Sequence, residues 1–164
     1  MFFNKPKAPR PEQKAKLNKV LGEIKRRYNA FGQQMNNLPD TPNPLEASDD
    51  EMRKSLLDQR EALSNMKTSL IIIQTTIHDA LGLWPEGKHP LSLLIDATKL
   101  GVKLGDNLLE ENLLYDRPNP LDSYSQNRRR SIFAENRQLG PEADKKFTES
   151  SHIIYELTGF ILID

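Results

Sequence analysis

The sequence predicts an all-α fold, either an antiparallel helical bundle or a short two-unit helical array. Three observations carry that reading. Apolar residues recur at three- and four-residue spacings through four long stretches, as one face of a helix requires. Most of the 11 prolines fall between those stretches, so they act as breaks. A P-N-P-L-[E/D] corner occurs twice, at 42–46 and 118–122, which suggests a duplicated helical hairpin with an offset of 76 residues. With 37% hydrophobic and 28% charged residues, a chain of 164 residues is a polar but foldable domain.

Residues 1–11 read as a flexible leader rich in proline and lysine. Residues 12–84 form the first hairpin unit, 87–160 a second that shares its core, and 161–164 an apolar tail. In the first helix, roughly 12–37, Leu17, Val20, Leu21, Ile24, Tyr28, Phe31 and Met35 lie on one face. Asn36, Asn37 and the prolines at 39, 42 and 44 stop it. The second helix opens with Ser48 and Glu51 at the spacing of a capping box, in which each side chain satisfies a free amide of the other's turn. Its face runs through Leu56, Leu63, Met66, Leu70, Ile73 and Ile77 to about Gly82, near 50 Å at 1.5 Å per residue.

Pro85 to Lys88 make the next turn, and a third helix runs from about Pro90 toward Tyr115. Gly101 and Gly105 inside it imply a close crossing or a bend. Arg128 to Leu139 is the next helical stretch; Gly140 and Pro141 are expected to split or sharply kink it before a last stretch ending near Thr158. At each corner Pro42-Asn43-Pro44-Leu45 and Pro118-Asn119-Pro120-Leu121 should keep the flanking helices from merging. Leu45 and Leu121 are expected to pack back on the helix that follows, and Leu56 and Ile132 to occupy matching buried sites. The apolar run Phe160 to Ile163 is expected to tuck against the core or to continue into a longer chain.

Composition closes several functional classes. There is no Cys, which removes disulfides, thiol catalysis and Cys-based metal modules. The most apolar stretch, Leu70 to Trp84, contains Gln74, His78 and Asp79 and falls short of the ~20 apolar residues of a bilayer span. No signal-peptide pattern opens the chain, so a cytoplasmic location is expected. Glu149 and His152 have the spacing of one di-iron pair, but a second such pair is lacking, and His78-Asp79 are neighbours that point about 100° apart on a helix. No cofactor, metal or catalytic residue is expected, and the reading is not an enzyme.

Charge is uneven. Residues 1–37 carry nine Lys/Arg against two Glu, and residues 38–66 carry three against seven. The candidate partner contacts are Lys14, Lys19, Lys25, Arg26 and Arg27 on the first helix, with Arg128, Arg129, Arg130 and Arg137 after the second corner. The basic first block is expected to be neutralised largely by the acidic block that follows. The Arg128–Arg130 run is expected to pair with Asp116, Asp122 or the acidic 46–51 stretch, and its three side chains turn over about 200° of a helix, too far for one phosphate groove. The function expected is therefore a noncatalytic protein–protein interaction module, such as a scaffold, adaptor or assembly subunit. The partner would be another protein, or a second copy in a homo-oligomer. Nucleic-acid association through the same basic residues is the alternative, and an enzyme of another kind ranks third.

Overall fold

The computed structural model describes residues 5–163 as a four-helix bundle, with no strand among them. Helix α1 spans Pro11–Asn36, with proline in the first turn, where a missing amide costs nothing. Helix α2 spans Asp49–Leu83 and starts at the expected capping box: the Glu51 amide donates to Ser48 Oγ (3.3 Å), and the Ser48 amide donates to Glu51 Oε2 (2.9 Å). A single 3-10 turn, Pro85–Gly87, leads into α3, Lys88–Tyr115. Helix α4 spans Ser123–Thr158.

Each helix packs antiparallel on the next in sequence, and α4 lies along α3 for most of its length. The core is built from Leu17, Leu21 and Ile24 of α1, Leu70, Ile73 and Ile77 of α2, Leu91 and Leu94 of α3, and Ile154 of α4. Trp84 caps it, fully buried, and its Nε1 donates to the Lys7 carbonyl (2.7 Å). A Cβ on Gly87 would stand 2.2 Å from the Trp84 ring, so only glycine lets the turn fold over the indole. Gly101 and Gly105 bring α3 close to α2, where added Cβ atoms would meet Leu70 and Lys67 at 3.0 Å. The crossing is a close one.

Helix α1 is shorter than the others, about 39 Å against about 54 Å for α4. Beyond it, residues 37–47 run as a strap along α2: Gln59 Nε2 donates to the Pro39 carbonyl and to Thr41 Oγ1 (both 3.0 Å), and Ser55 Oγ donates to the Asp40 carbonyl (3.1 Å). The bundle therefore has a four-helix end around Trp84 and a three-helix end around the two proline corners. The tail turns at Gly159, whose φ of 74° is left-handed, and returns over α1. Leu162 is buried there, and Lys25 Nζ donates to the Ile161 carbonyl (3.3 Å). Asp164 lies outside the described residues.

Three expectations need correction. Helix α4 is continuous through Gly140 and Pro141. A residue before proline is pushed out of the helical region by contact between its own Cβ and the proline ring, and Gly140 has no Cβ. Arg137, whose carbonyl loses the proline's hydrogen bond, is exposed, as is Pro141, so the loss falls on the solvent side. Helix α4 also begins at Ser123, five residues before the expected Arg128, because Asp122 caps it by accepting from the Ser125 amide (2.6 Å).

Leu45 and Leu121 do not staple their helices; they are 79% and 42% exposed. An asparagine-led turn sets each corner, with the Glu46 amide donating to the Asn43 carbonyl and the Asp122 amide to the Asn119 carbonyl, and both turns direct the leucine outward. In the leader, the Lys7 carbonyl accepts from the Trp84 indole and Pro9 is buried; residues 1–4 lie outside the described part. Leu56 and Ile132 are both buried, as are Leu63 and Leu139, at the offset of 76. Past Pro141 the buried positions Ser150 and Ile154 answer Ile73 and Ile77 instead, one residue out of that register.

Candidate functional site

The second corner concentrates the candidate residues. Tyr115 ends α3, the turn 116–122 reverses the chain, and the first three turns of α4 carry Arg128, Arg129, Arg130 and Phe133. Because α4 starts at Ser123, the arginines lie past its first turn, where the helix dipole would have opposed them most. Together Glu111, Tyr115, Leu121, Gln126, Arg129, Arg130 and Phe133 line an open depression of about 500 Å3 between α3 and α4.

The three consecutive arginines do three different things. Arg128 makes a two-point pair with Glu110 of α3, at 2.6 and 2.7 Å. Arg129 stacks over the Tyr115 ring (4.5 Å to its centre) while its Nη1 donates to the Pro120 carbonyl (2.6 Å). Arg130 is exposed and makes no hydrogen bond or ion pair among the described residues. The acceptors expected for this cluster are taken by others: Asp116 pairs with Arg60 (2.6 Å), and Asp122 with Arg117 (3.6 Å). One turn on, exposed Arg137 sits 5.9 Å from the Phe133 ring centre.

Electrostatics follow from these contacts. The Arg128 guanidinium holds the Glu110 carboxyl below the usual range, and the Ser125 amide does the same for Asp122. Glu111 on the floor of the depression goes the other way, raised by burial against a partial counter-pull from Arg129. Two exposed apolar groups line the groove, Phe133 (63% exposed) and the corner residue Leu121 (42%), while Tyr124, also 63% exposed, lies outside it under the Arg117 guanidinium.

The basic residues of α1 are not gathered into this site. Glu23 takes both Arg26 (2.6 Å) and Arg27 (2.7 Å) within the helix, and Arg10 reaches Glu86 (3.8 Å). None of these acceptors belongs to the acidic 38–66 block: the expected pairing between the two blocks gives way to Glu23 within α1 and to Glu86 in the turn after α2. Lys14 and Lys19 project into solvent; Lys25 is held at the tail. His152 pairs with Glu156 (3.2 Å) and not with Glu149, and among the described residues no three His, Asp or Glu side chains converge as a metal site. His78 and Asp79 are both exposed.

Sequence reasoning missed Tyr115, Tyr124 and Phe133 as surface groups. The signal was present: on a helix that buries Ser125, Ile132 and Leu139, Tyr124 and Phe133 are off the buried stripe. Among the described residues no helix is long and apolar enough to cross a membrane. Compared with known protein families, with curated proteins and with solved structures, the chain matches none.

Proposed function

We propose that the protein is a noncatalytic interaction module, a scaffold, adaptor or assembly subunit, that holds a partner protein at the α3–α4 corner in the cytoplasm. The carrying observation is Phe133, 63% exposed beside a depression that Leu121, Tyr115, Arg129 and Arg130 line together with Glu111 and Gln126. Aromatic residues and arginine are the side chains enriched where proteins bind proteins, and an exposed large ring with apolar neighbours is costly to leave in water. The stacking of Arg129 on Tyr115 fixes that wall in advance, which lowers the entropy lost on docking. Two of the three clustered arginines are engaged within the protein, which weighs against a phosphate-binding stripe.

The test places a photo-crosslinking amino acid at Phe133 in the full chain. A discrete, nuclease-resistant protein adduct that disappears when Leu121 is changed to Asp supports the module. The rival is tested by titrating short DNA and RNA at about 50 and 200 mM salt; micromolar binding that weakens a hundredfold or more across that range would replace the protein partner with nucleic acid.

A further inference from the structure

A second recessed site lies where α1 ends and the fourth wall of the bundle stops. It has a volume of about 260 Å3 and draws on all four helices: Tyr28, Phe31, Gly32 and Met35 from α1, Met66 and Leu70 from α2, Gly101, Leu104 and Gly105 from α3, and Gly140, Ala143 and Phe147 from α4. Three aromatic rings and two thioethers make the wall, and Tyr28 and Phe147 meet with ring centres 4.3 Å apart at its upper edge. Above that edge the α1–α4 seam is filled by the returning tail, with Phe160 beside Gly22 and Leu162 buried. Below it the seam is open.

Two further features set this space apart from imperfect packing. Gly32 lies inside α1, where glycine is the poorest helix former after proline, yet a Cβ there would meet nothing within 4 Å. The glycine serves no close approach; it leaves a bare stretch of helix backbone facing the cavity. Among the polar groups on the wall, Lys67 is held by Asp106, and Asp144 is exposed at the rim. The Tyr28 hydroxyl is covered and makes no hydrogen bond; it is one of four such buried side-chain atoms among the described residues, and the one that belongs to this wall.

We propose that this cavity binds an uncharged, flat aromatic molecule of about ten heavy atoms bearing one hydrogen-bonding group. The size follows from comparison with a 150 Å3 apolar cavity, which accepts benzene. Flat shape follows from the bare backbone at Gly32 and Gly140, where an added Cβ would meet nothing within 4 Å, so a ring can lie against α1 and α4 without a side chain in its way. Aromatic character follows from the Met35 and Met66 sulfurs and the Tyr28, Phe31 and Phe147 rings, which favour ring contacts over aliphatic ones. The hydrogen-bonding group answers the unpaired hydroxyl of Tyr28, a residue of the cavity wall. This site is separate from the corner and stands whether or not the corner binds protein.

The methionines supply the readout. Full-length protein labelled at the methionine methyl carbons is titrated with 1-naphthol, followed by NMR. Met35 at the mouth and Met66 on the floor should shift together and saturate at one equivalent, while Met52, which is not on the wall, stays fixed. Gly32→Leu fills the space from α1, and Ala143→Leu fills it from α4; either should weaken binding about tenfold or more. Using both guards against one of them failing to fold. In the wild type 1-naphthol should bind more tightly than naphthalene, and Tyr28→Phe should erase that difference. Absence of a saturable Met66 shift, or unchanged affinity in both folded filling variants, would overturn the proposal. So would a Met35 shift that depends on protein concentration with no probe present, because a second copy would then be closing the mouth.

Discussion

The two ends of this bundle solve the same packing problem with different chemistry. At Trp84 four helices meet around an aliphatic centre of Leu17, Leu21, Ile73, Ile77, Leu91, Leu94 and Ile154. The buried polar groups there are the small hydroxyls of Ser150, Ser151 and Thr158, each donating to a backbone carbonyl. Around the corners only three helices remain, and buried asparagines take the place of the missing apolar wall. Asn112 donates to the Leu56 carbonyl (3.0 Å) and to Gln59 Oε1 (2.7 Å), and accepts from Arg60 Nε (2.5 Å). Asn107 donates to Glu135 and Asn136 of α4 (3.0 and 2.9 Å). The lesson is one of geometry. Three helices enclose less apolar volume than four, so directional hydrogen bonds fix the register where burial is thin. The candidate partner surface lies on the thin end.

The largest expected difference is in stability. Trp84→Ala removes the biggest fully buried side chain and its bond to Lys7, and should cost about 3–5 kcal/mol in urea unfolding. Phe133→Ala at the other end should change stability by less than about 0.5 kcal/mol, since its ring is mostly in water. Equal losses would mean that the corner end is as tightly packed as the Trp84 end and would erase the contrast.

Next in size is Asn112→Ala. It removes the acceptor of Arg60 Nε and the donor to Gln59 Oε1, and a loss of about 1–3 kcal/mol is expected. Amide hydrogen exchange sharpens the point: α2 amides near Leu56 should open at lower free energy than those near Ile77, and the substitution should widen that gap. A uniform rise in exchange along α2 would indicate one cooperative core instead of two unlike ends.

Acid should separate the ends as well. At the corner end four carboxyls are held below their usual values: Glu51 by the Ser48 amide, Glu110 by Arg128, Asp122 by the Ser125 amide, and Glu135 by Lys103 and then Asn107. A lowered folded-state pKa means that the contribution is complete above the unfolded value and disappears as pH falls through the folded one. These contacts therefore fail below the ordinary carboxylate range. Trp84, the only tryptophan, reports the opposite end, where α1 contributes Glu23, lowered by Arg26. On acidification α4 exchange protection near Arg128 should drop before the Trp84 near-ultraviolet signal does. Glu111 has the reverse sign: burial raises it, so its relative contribution is present at low pH and lost as pH rises through the folded value. Glu111→Gln should accordingly raise stability at pH 7 and flatten the pH dependence.

What the sequence disclosed follows the range of each interaction. The capping box at Ser48 was legible because both partners lie within one turn, and the stripes of α1, α2 and α3 were legible because period and burial coincide. The Gly101 and Gly105 crossing was legible for the same reason: glycine inside a helix asks for a neighbour. The α4 start was missed because Asp122 was read as a charge partner and not as a cap. Continuity across Pro141 was missed because glycine and proline each break helices, while together the first relieves the second. The outward turn of Leu45 and Leu121 depends on hydrogen bonds at Asn43 and Asn119, and the arginine partners depend on which helices become neighbours. The corner bonds are local, spanning three residues, but they involve the backbone and leave no mark in the apolar pattern; the arginine partners are tertiary facts that no spacing along the chain encodes.

The smallest expected effect discriminates two glycines that look alike on the cavity wall. Gly32→Ala should stabilise by about 0.4–1 kcal/mol, because alanine loses less conformational entropy in a helix and its Cβ meets nothing within 4 Å. Gly140→Ala also has open space around its Cβ, but it precedes Pro141 in a helical stretch, where any Cβ presses on the proline ring. That substitution should lower stability or bend α4 despite alanine's better helix propensity. Gly105→Ala makes the third arm: its Cβ would stand 3.0 Å from Lys67 Cγ, and the flexible lysine stem can give way only by disturbing its pairing with Asp106. A thermal melt of the three variants should rank Gly32→Ala highest and above the wild type, with the other two below it. If Gly140→Ala stabilises as much as Gly32→Ala, then proline relief is not what keeps α4 continuous, and the continuity must come from packing on α3, which belongs to both ends of the bundle alike.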